Sequence, residues 1–233
     1  QVSGPSTSLT GESFKPTTGQ QYEVGLRYQS GDNIYVTLGA YQITQQNMLT
    51  PATLADLPAG SDEDDLLCGT AVCSVQTGEG RVRGIEFETK ATLPWGMAVI
   101  ATATRSDSKV TKSNTAGQVG NELPQVPEWM ASLFVNQTIE EGALAGLGFG
   151  GGARYTGKSF GDTANSLAIP DYTLFDLFVR YDLGRSLPAL EGATLSLNAR
   201  NIADKRYVAT CTAVSACYYG QGRSLTARLQ FRW

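Results

Sequence analysis

GRSLTARLQFRW, residues 222–233, alternates without a break: Leu225, Ala227, Leu229, Phe231 and Trp233 share one face, and Ser224, Thr226, Arg228, Gln230 and Arg232 share the other. A strand reads this way when one side meets hydrocarbon and the other a polar lumen, and also when one side of a soluble sandwich meets water. One strand cannot separate the two cases, so the rest of the chain decides. Period-two alternation recurs about nine times: QYEVGLRYQ (21–29), NIYVTLGAYQ (33–42), RGIEFETK (83–90), stretches near 97–105, 128–138 and 144–156, YTLFDLFVRYDL (172–183), ATLSLNARN (193–201) and the terminal stretch. Turns are expected at Ser30-Gly31-Asp32-Asn33, Pro94-Trp95-Gly96 and Glu140-Glu141-Gly142.

The connections sort by parity. Those near 30–33, 92–96, 139–143 and 184–192 are short, and those near 44–79, 106–126, 157–169 and 203–221 are long. Outer-membrane barrels have short periplasmic turns and long extracellular loops, whereas a sandwich has no reason to alternate them. This parity puts Trp233 at the periplasmic side. Charges on the polar faces, Glu23, Arg27, Asp176, Arg180, Arg200 and Arg228, fit a hydrated lumen, and Tyr22, Tyr28, Trp95, Trp129, Tyr181 and Trp233 fall near strand ends where interfacial girdles sit. No stretch approaches the ~20 apolar residues of a spanning helix, so a membrane protein of this composition crosses as a barrel. The expected fold is all-β, an antiparallel transmembrane β-barrel.

Composition narrows the function. The net charge of −4 and pI near 4.9 argue against a nucleic-acid surface. The absence of histidine removes the usual general base and the commonest metal ligand, which disfavours an enzyme. GKSFG (157–161) matches a nucleophile elbow only in letters, because that chemistry needs a strand-to-helix turn and a histidine. GLGFGG (146–151) matches a dinucleotide fingerprint but runs within a strand and opens no helix, so its glycines leave room on the lumen face. SDEDD (61–65) lacks the spaced ligands and glycine of a calcium loop and reads as a solvated acidic tip. No cofactor and no resident metal are expected.

Four cysteines form two close pairs in predicted outer loops, Cys68 with Cys73 and Cys211 with Cys217. In polar loops of an exported protein this spacing favours two local disulfides, with a four-thiolate zinc site as the rival. The N-terminal stretch QVSGPSTSLTGESFKPTTG has none of the character of a secretory signal, so either an exported parent begins further upstream or the chain is not exported.

FKPTTGQQYEVGLRYQ (14–29), GRVRGIEFE (80–88), LPQVPEWMASLFV (123–135), GGGARYTGKSFGDTANSLAIPDYTLFDLFVRYDL (150–183) and LNARNIADKRYVATC (197–211) through the terminal strand resemble the C-terminal barrel of TonB-dependent siderophore receptors, nearest the ferric-hydroxamate, ferrichrome-type branch. The resemblance implies a barrel of about 22 strands with a plugged lumen. Residues 1–233 would supply its C-terminal nine or so strands, the plug domain and the N-terminal barrel strands lying outside this sequence. It implies a bacterial outer-membrane location, with membrane lipid, a ferric siderophore and, through the plug, TonB as partners. The Cys211 and Cys217 spacing also resembles the last-loop disulfide of hydroxamate receptors. A bulky ferric complex would be held by aromatics of the mouth, for which Tyr41, Tyr155, Phe160, Tyr207, Tyr218 and Tyr219 are the candidates. The alternative is a passive porin-like barrel, or one carrying haem, cobalamin or a glycan.

Overall fold

The computed structural model describes residues 8–9, 13–68, 71–213 and 215–232. Nine strands form one antiparallel sheet in sequence order: β1 (Thr18–Ser30), β2 (Ile34–Pro51), β3 (Ser74–Thr92), β4 (Ala98–Lys112), β5 (Trp129–Thr138), β6 (Leu147–Thr156), β7 (Tyr172–Asp182), β8 (Ala193–Arg200) and β9 (Ser224–Phe231). Each pairs only with its sequence neighbours, and β1 and β9 are open edges. The predicted turns form at Gly31, at Trp95-Gly96 and at Gly142, each with positive φ. Among the described residues no helix is long and apolar enough to cross a membrane.

Register turns the alternation into two faces. One row runs Leu26, Leu38, Phe87, Ala103, Ala131 and Tyr155, and another runs Val135, Gly151, Leu177, Ala199 and Leu225. On the opposite face Arg27, Thr37, Glu88, Thr102, Ser132 and Arg154 follow one another. Thr102 and Ser132 share a hydrogen bond of 2.8 Å there. All six charges expected to line a lumen lie on this polar face. Gly148, Gly150 and Gly152 of β6 serve it: a Cβ at Gly150 would come within 2.5 Å of the Phe178 ring and of the Val135 carbonyl, and one at Gly148 within 2.6 Å of Arg180 Nε. Phe134 and Phe178 consequently stack across β6 with ring centres 5.7 Å apart.

Three expectations change. The ladders β2–β3 and β3–β4 run well beyond the predicted ends, so the connections reduce to 52–73 and 113–128. In this extension polar residues occupy both faces with Met48, Leu49, Val75 and Val110 among them, so hydrocarbon no longer imposes alternation, and backbone pairing plus contacts such as Glu79 with Lys112 (2.9 Å) hold the strands. Strand β6 starts at Leu147 rather than near 144, because residues 139–146 form the turn. Tyr155 belongs to the apolar row, between Ala131 and Thr173, and therefore points away from the lumen side. Trp233 and much of the N-terminal stretch lie outside the described residues.

The buried residues are not between layers. Thr50, Ala52, Cys73, Ser106, Ser108, Val110, Ser159, Ile169, Leu174, Asn201 and Cys211 are buried, and all sit toward or beyond the long-loop ends of their strands; Gly148 and Ala193, beside short turns, are exceptions.

Candidate functional site

The four long connections meet at one end of the sheet: the first three are hydrogen-bonded in series, and the third packs on the fourth. Asn114, in 113–128, donates to Asp56, in 52–73, at 2.7 Å. The same connection meets 157–171 through Gln125 N to the Phe160 carbonyl (2.7 Å) and Asn121 Nδ2 to the Thr163 carbonyl (2.9 Å). A reciprocal clasp joins them again: Glu122 N donates to Asn165 Oδ1 (2.7 Å), and Asn165 Nδ2 donates to the Glu122 carbonyl (2.9 Å). Within 157–171, Asp162 accepts from the Ser166 hydroxyl (2.6 Å) and from Leu167 N (2.9 Å). These bonds, the hydroxyl's first, hold its carboxyl below the usual carboxylate range. Gly161 then packs on the final loop, where a Cβ would lie 2.8 Å from the Cys211 carbonyl.

The final loop, 201–223, is tied down at its root. Asn201 is only 2% exposed and takes a left-handed φ of 48°. Its Oδ1 accepts from Lys205 N (2.9 Å), and its Nδ2 donates to the carbonyls of Lys205 (2.9 Å) and Gln221 (3.1 Å). Asn201 N donates to Asp176 Oδ1 at 2.9 Å, joining the loop to β7. A hairpin, Val208–Ala213 with Ala216–Tyr219, rises from this root and is closed by the Cys211–Cys217 disulfide; Cys68 and Cys73 form the second disulfide. The geometry decides for two local bridges over a shared zinc site.

The candidate aromatics divide. Phe160, Tyr207, Tyr218 and Tyr219 all belong to the two contacting loops. Tyr218 and Tyr219 are open at 62% and 79% exposure, and the Tyr207 ring fills the space over Gly220 that any Cβ would occupy. Tyr41 stands on the polar face of β2, lies across Gly84 and reaches the Ser106 hydroxyl at 3.1 Å, beside a cavity of about 630 Å³ also lined by Gln42, Arg105 and Lys109. Tyr155 does not join them. Sequence reading missed Tyr172, whose ring lies 4.2 Å from that of Tyr207, and Arg154, whose guanidinium grips Asp176 through two bonds of 2.7 and 3.1 Å. Face parity at the loop ends of β6 and β7 was the signal that could have found them. Among the described residues no group of three or more His, Cys, Asp or Glu side chains is placed to hold a metal.

Comparison with known proteins sets this geometry in context. Residues 2–202 match the family model described as TonB dependent receptor-like, beta-barrel. The ferrichrome outer membrane transporter/phage receptor of Escherichia coli K12 is 40% identical over 96% of this chain, and the ferrioxamine receptor of Yersinia enterocolitica 36% over 94%. The chain spans less than a third of those relatives' own length, 27% and 28%. In fold it resembles the ferric preacinetobactin receptor BauA of Acinetobacter baumannii, with a TM-score of 0.74 at 24% identity, covering 97% of this chain and 32% of that one. The ferripyoverdine receptor of Pseudomonas aeruginosa gives 0.71 at 23%, covering 94% and 28%. An open nine-stranded wall with one lipid face, one polar face and all its long loops at one end is thus part of an outer-membrane barrel, and the chain belongs to the TonB-dependent receptor-like β-barrel family.

Proposed function

We propose that this chain forms the mouth and part of the wall of a receptor that takes up ferric siderophores, of hydroxamate type, in a TonB-dependent manner. The observation that supports the reading is the loop collar, whose two contacting members 157–171 and 201–223 carry Phe160, Tyr207, Tyr218 and Tyr219 at the long-loop end of the sheet. An iron complex wrapped in an organic shell needs this kind of surface: aromatic planes for its apolar parts and a few donors for its oxygens. Similarity to receptors named for ferrichrome and ferrioxamine supports the hydroxamate class. Uptake of this kind involves no bond chemistry, and energy would enter through TonB acting on a lumen-filling domain beyond this sequence.

The test is titration of the full-length protein in detergent with ferrichrome-type and ferrioxamine-type complexes, followed by quenching of tyrosine and tryptophan fluorescence, with a ferric catecholate as control. Saturable quenching at submicromolar hydroxamate and none by the catecholate supports the reading. A folded barrel that responds to no iron complex refutes it and leaves another cargo or a passive pore.

A further inference from the structure

We infer that Tyr172, Tyr207 and Arg154 form a charge-selective ledge inside the mouth, one that favours neutral or anionic ferric hydroxamates over cationic ones, with Asp176 as the residue that positions it. The inference rests on the receptor reading above and adds residues and a selection rule to it.

The ledge is built from neighbouring strands and the root of the final loop. Arg154 on β6 and Asp176 on β7 both lie on the polar face, and their two-point pairing fixes the plane of the guanidinium. That pairing uses Nε and Nη2; Nη1 makes no hydrogen bond among the described residues, and the side chain is half exposed. Four residues along β7 toward the loops, on the same face, Tyr172 tilts against Tyr207, and neither hydroxyl is bonded among the described residues. Leu174, between Tyr172 and Asp176, is buried at 3% exposure. The result is an aromatic shelf edged by a fixed, partly unused donor, which suits carbonyl or hydroxamate oxygens on a packed organic shell.

Charge gives the selection. Extended by one residue beyond Leu177 and Ala199, the register puts Arg200 on the polar face of β8 beside Asp176, on the side away from Arg154, so both neighbouring strands carry an arginine at this level. The segments that carry the ledge hold Arg154, Arg200, Lys205, Arg206 and Arg223 against Asp171, Asp176 and Asp204. The Asp204 carboxylate is already engaged by Arg223 N at 2.9 Å. A complex bearing a free ammonium meets an excess of like charge here, whereas a neutral or anionic complex does not.

Two substitutions of opposite charge effect test the assignment in the full-length protein, using fluorescence titration with a neutral ferric trihydroxamate and with one carrying a single ammonium group. Arg154→Gln exposes the Asp176 carboxylate and is expected to move the affinity ratio toward the cationic complex by about threefold or more. Asp176→Asn, nearly isosteric, is expected to move it the other way, and Arg154→Lys to weaken both complexes without changing the ratio. Opposite shifts support the ledge, because a purely structural role would weaken both complexes alike. Equal losses for both complexes, or unchanged affinities, overturn it while the receptor reading stands. Failure of the wild-type protein to bind either complex overturns both.

Discussion

Asn201→Ala probes how firmly the final loop is held. The side chain makes three hydrogen bonds at 2.9, 2.9 and 3.1 Å while almost fully buried, and its backbone is left-handed. At about 1 kcal/mol for each bond, truncation costs about 3 kcal/mol. Holding alanine at this φ adds about 1 kcal/mol. The sum, about 4 kcal/mol, falls on the root of one loop rather than on the barrel, so the expected effect is local opening. At 1.4 kcal/mol per factor of ten, amides that exchange through this opening lose protection by up to about a thousandfold. Hydrogen exchange by mass spectrometry on the full-length protein reads this directly. Peptides covering 201–207 and 220–224 speed up, while those of β5 and β6 do not change. Asn201→Gly, which relieves the backbone but not the bonds, recovers about a factor of five. Unchanged protection over 201–224 in the alanine variant, or a loss spread evenly over the sheet, refutes the claim that this side chain ties the loop down.

Gly150→Val forces a Cβ against the Val135 carbonyl and the Phe178 ring and should destabilise the barrel by about 2 kcal/mol in thermal or urea unfolding, whereas Gly39→Ala, with open space at its Cβ, should stay within about 0.5 kcal/mol. Replacing Cys211 and Cys217 together by serine frees a short loop and should cost about 2 kcal/mol, seen as protease cleavage near 212–216 with the remaining strands protected. Because the Asp162 carboxyl titrates below its unfolded value, its contribution is present above about pH 4 and is lost as pH falls through the folded value. Exchange in 157–171 should therefore be flat from pH 7 to 5, after correction for intrinsic rates, and rise on further acidification. Asp162→Asn should abolish that rise.

The wall was legible in the sequence because hydrocarbon on one face and a polar space on the other impose a two-residue period, as in Leu225, Ala227 and Leu229 against Thr226, Arg228 and Gln230. Loop parity then followed from counting. The period fails where the cause ends: in TQQNMLTP (44–51) polar residues occupy both faces with Met48 and Leu49 among them, Asn47 turns left-handed at φ 60°, and the register shifts between Gln45 and Met48, so strand pairing there shows only in three dimensions. Tyr155 was misplaced although its parity with Phe149, Gly151 and Ala153 was readable. For Tyr172 and Arg154 parity gave the face but not the role, since what singles them out is contact with Tyr207, 35 positions away, in one case and with a carboxylate on the next strand in the other. The cysteine pairs were legible because five- and six-residue separations leave little choice of partner.

Burial concentrated at the long-loop end reverses the usual relation between surface and variability. External loops are ordinarily where a bacterial protein is free to change in front of an immune system, because little depends on them. Here Ala52, Cys73, Ser159, Ile169, Asn201 and Cys211 are packed within that region, so most substitutions there disturb neighbouring loops as well. Freedom to vary remains at the exposed tips, Ala59–Gly60 and Asp62–Asp65, Ala116–Gly117, and Tyr218–Tyr219. If Tyr218 and Tyr219 hold cargo, antigenic drift without loss of nutrition is left with the first two, and antibodies raised against the collar beneath them face a target with little room to escape.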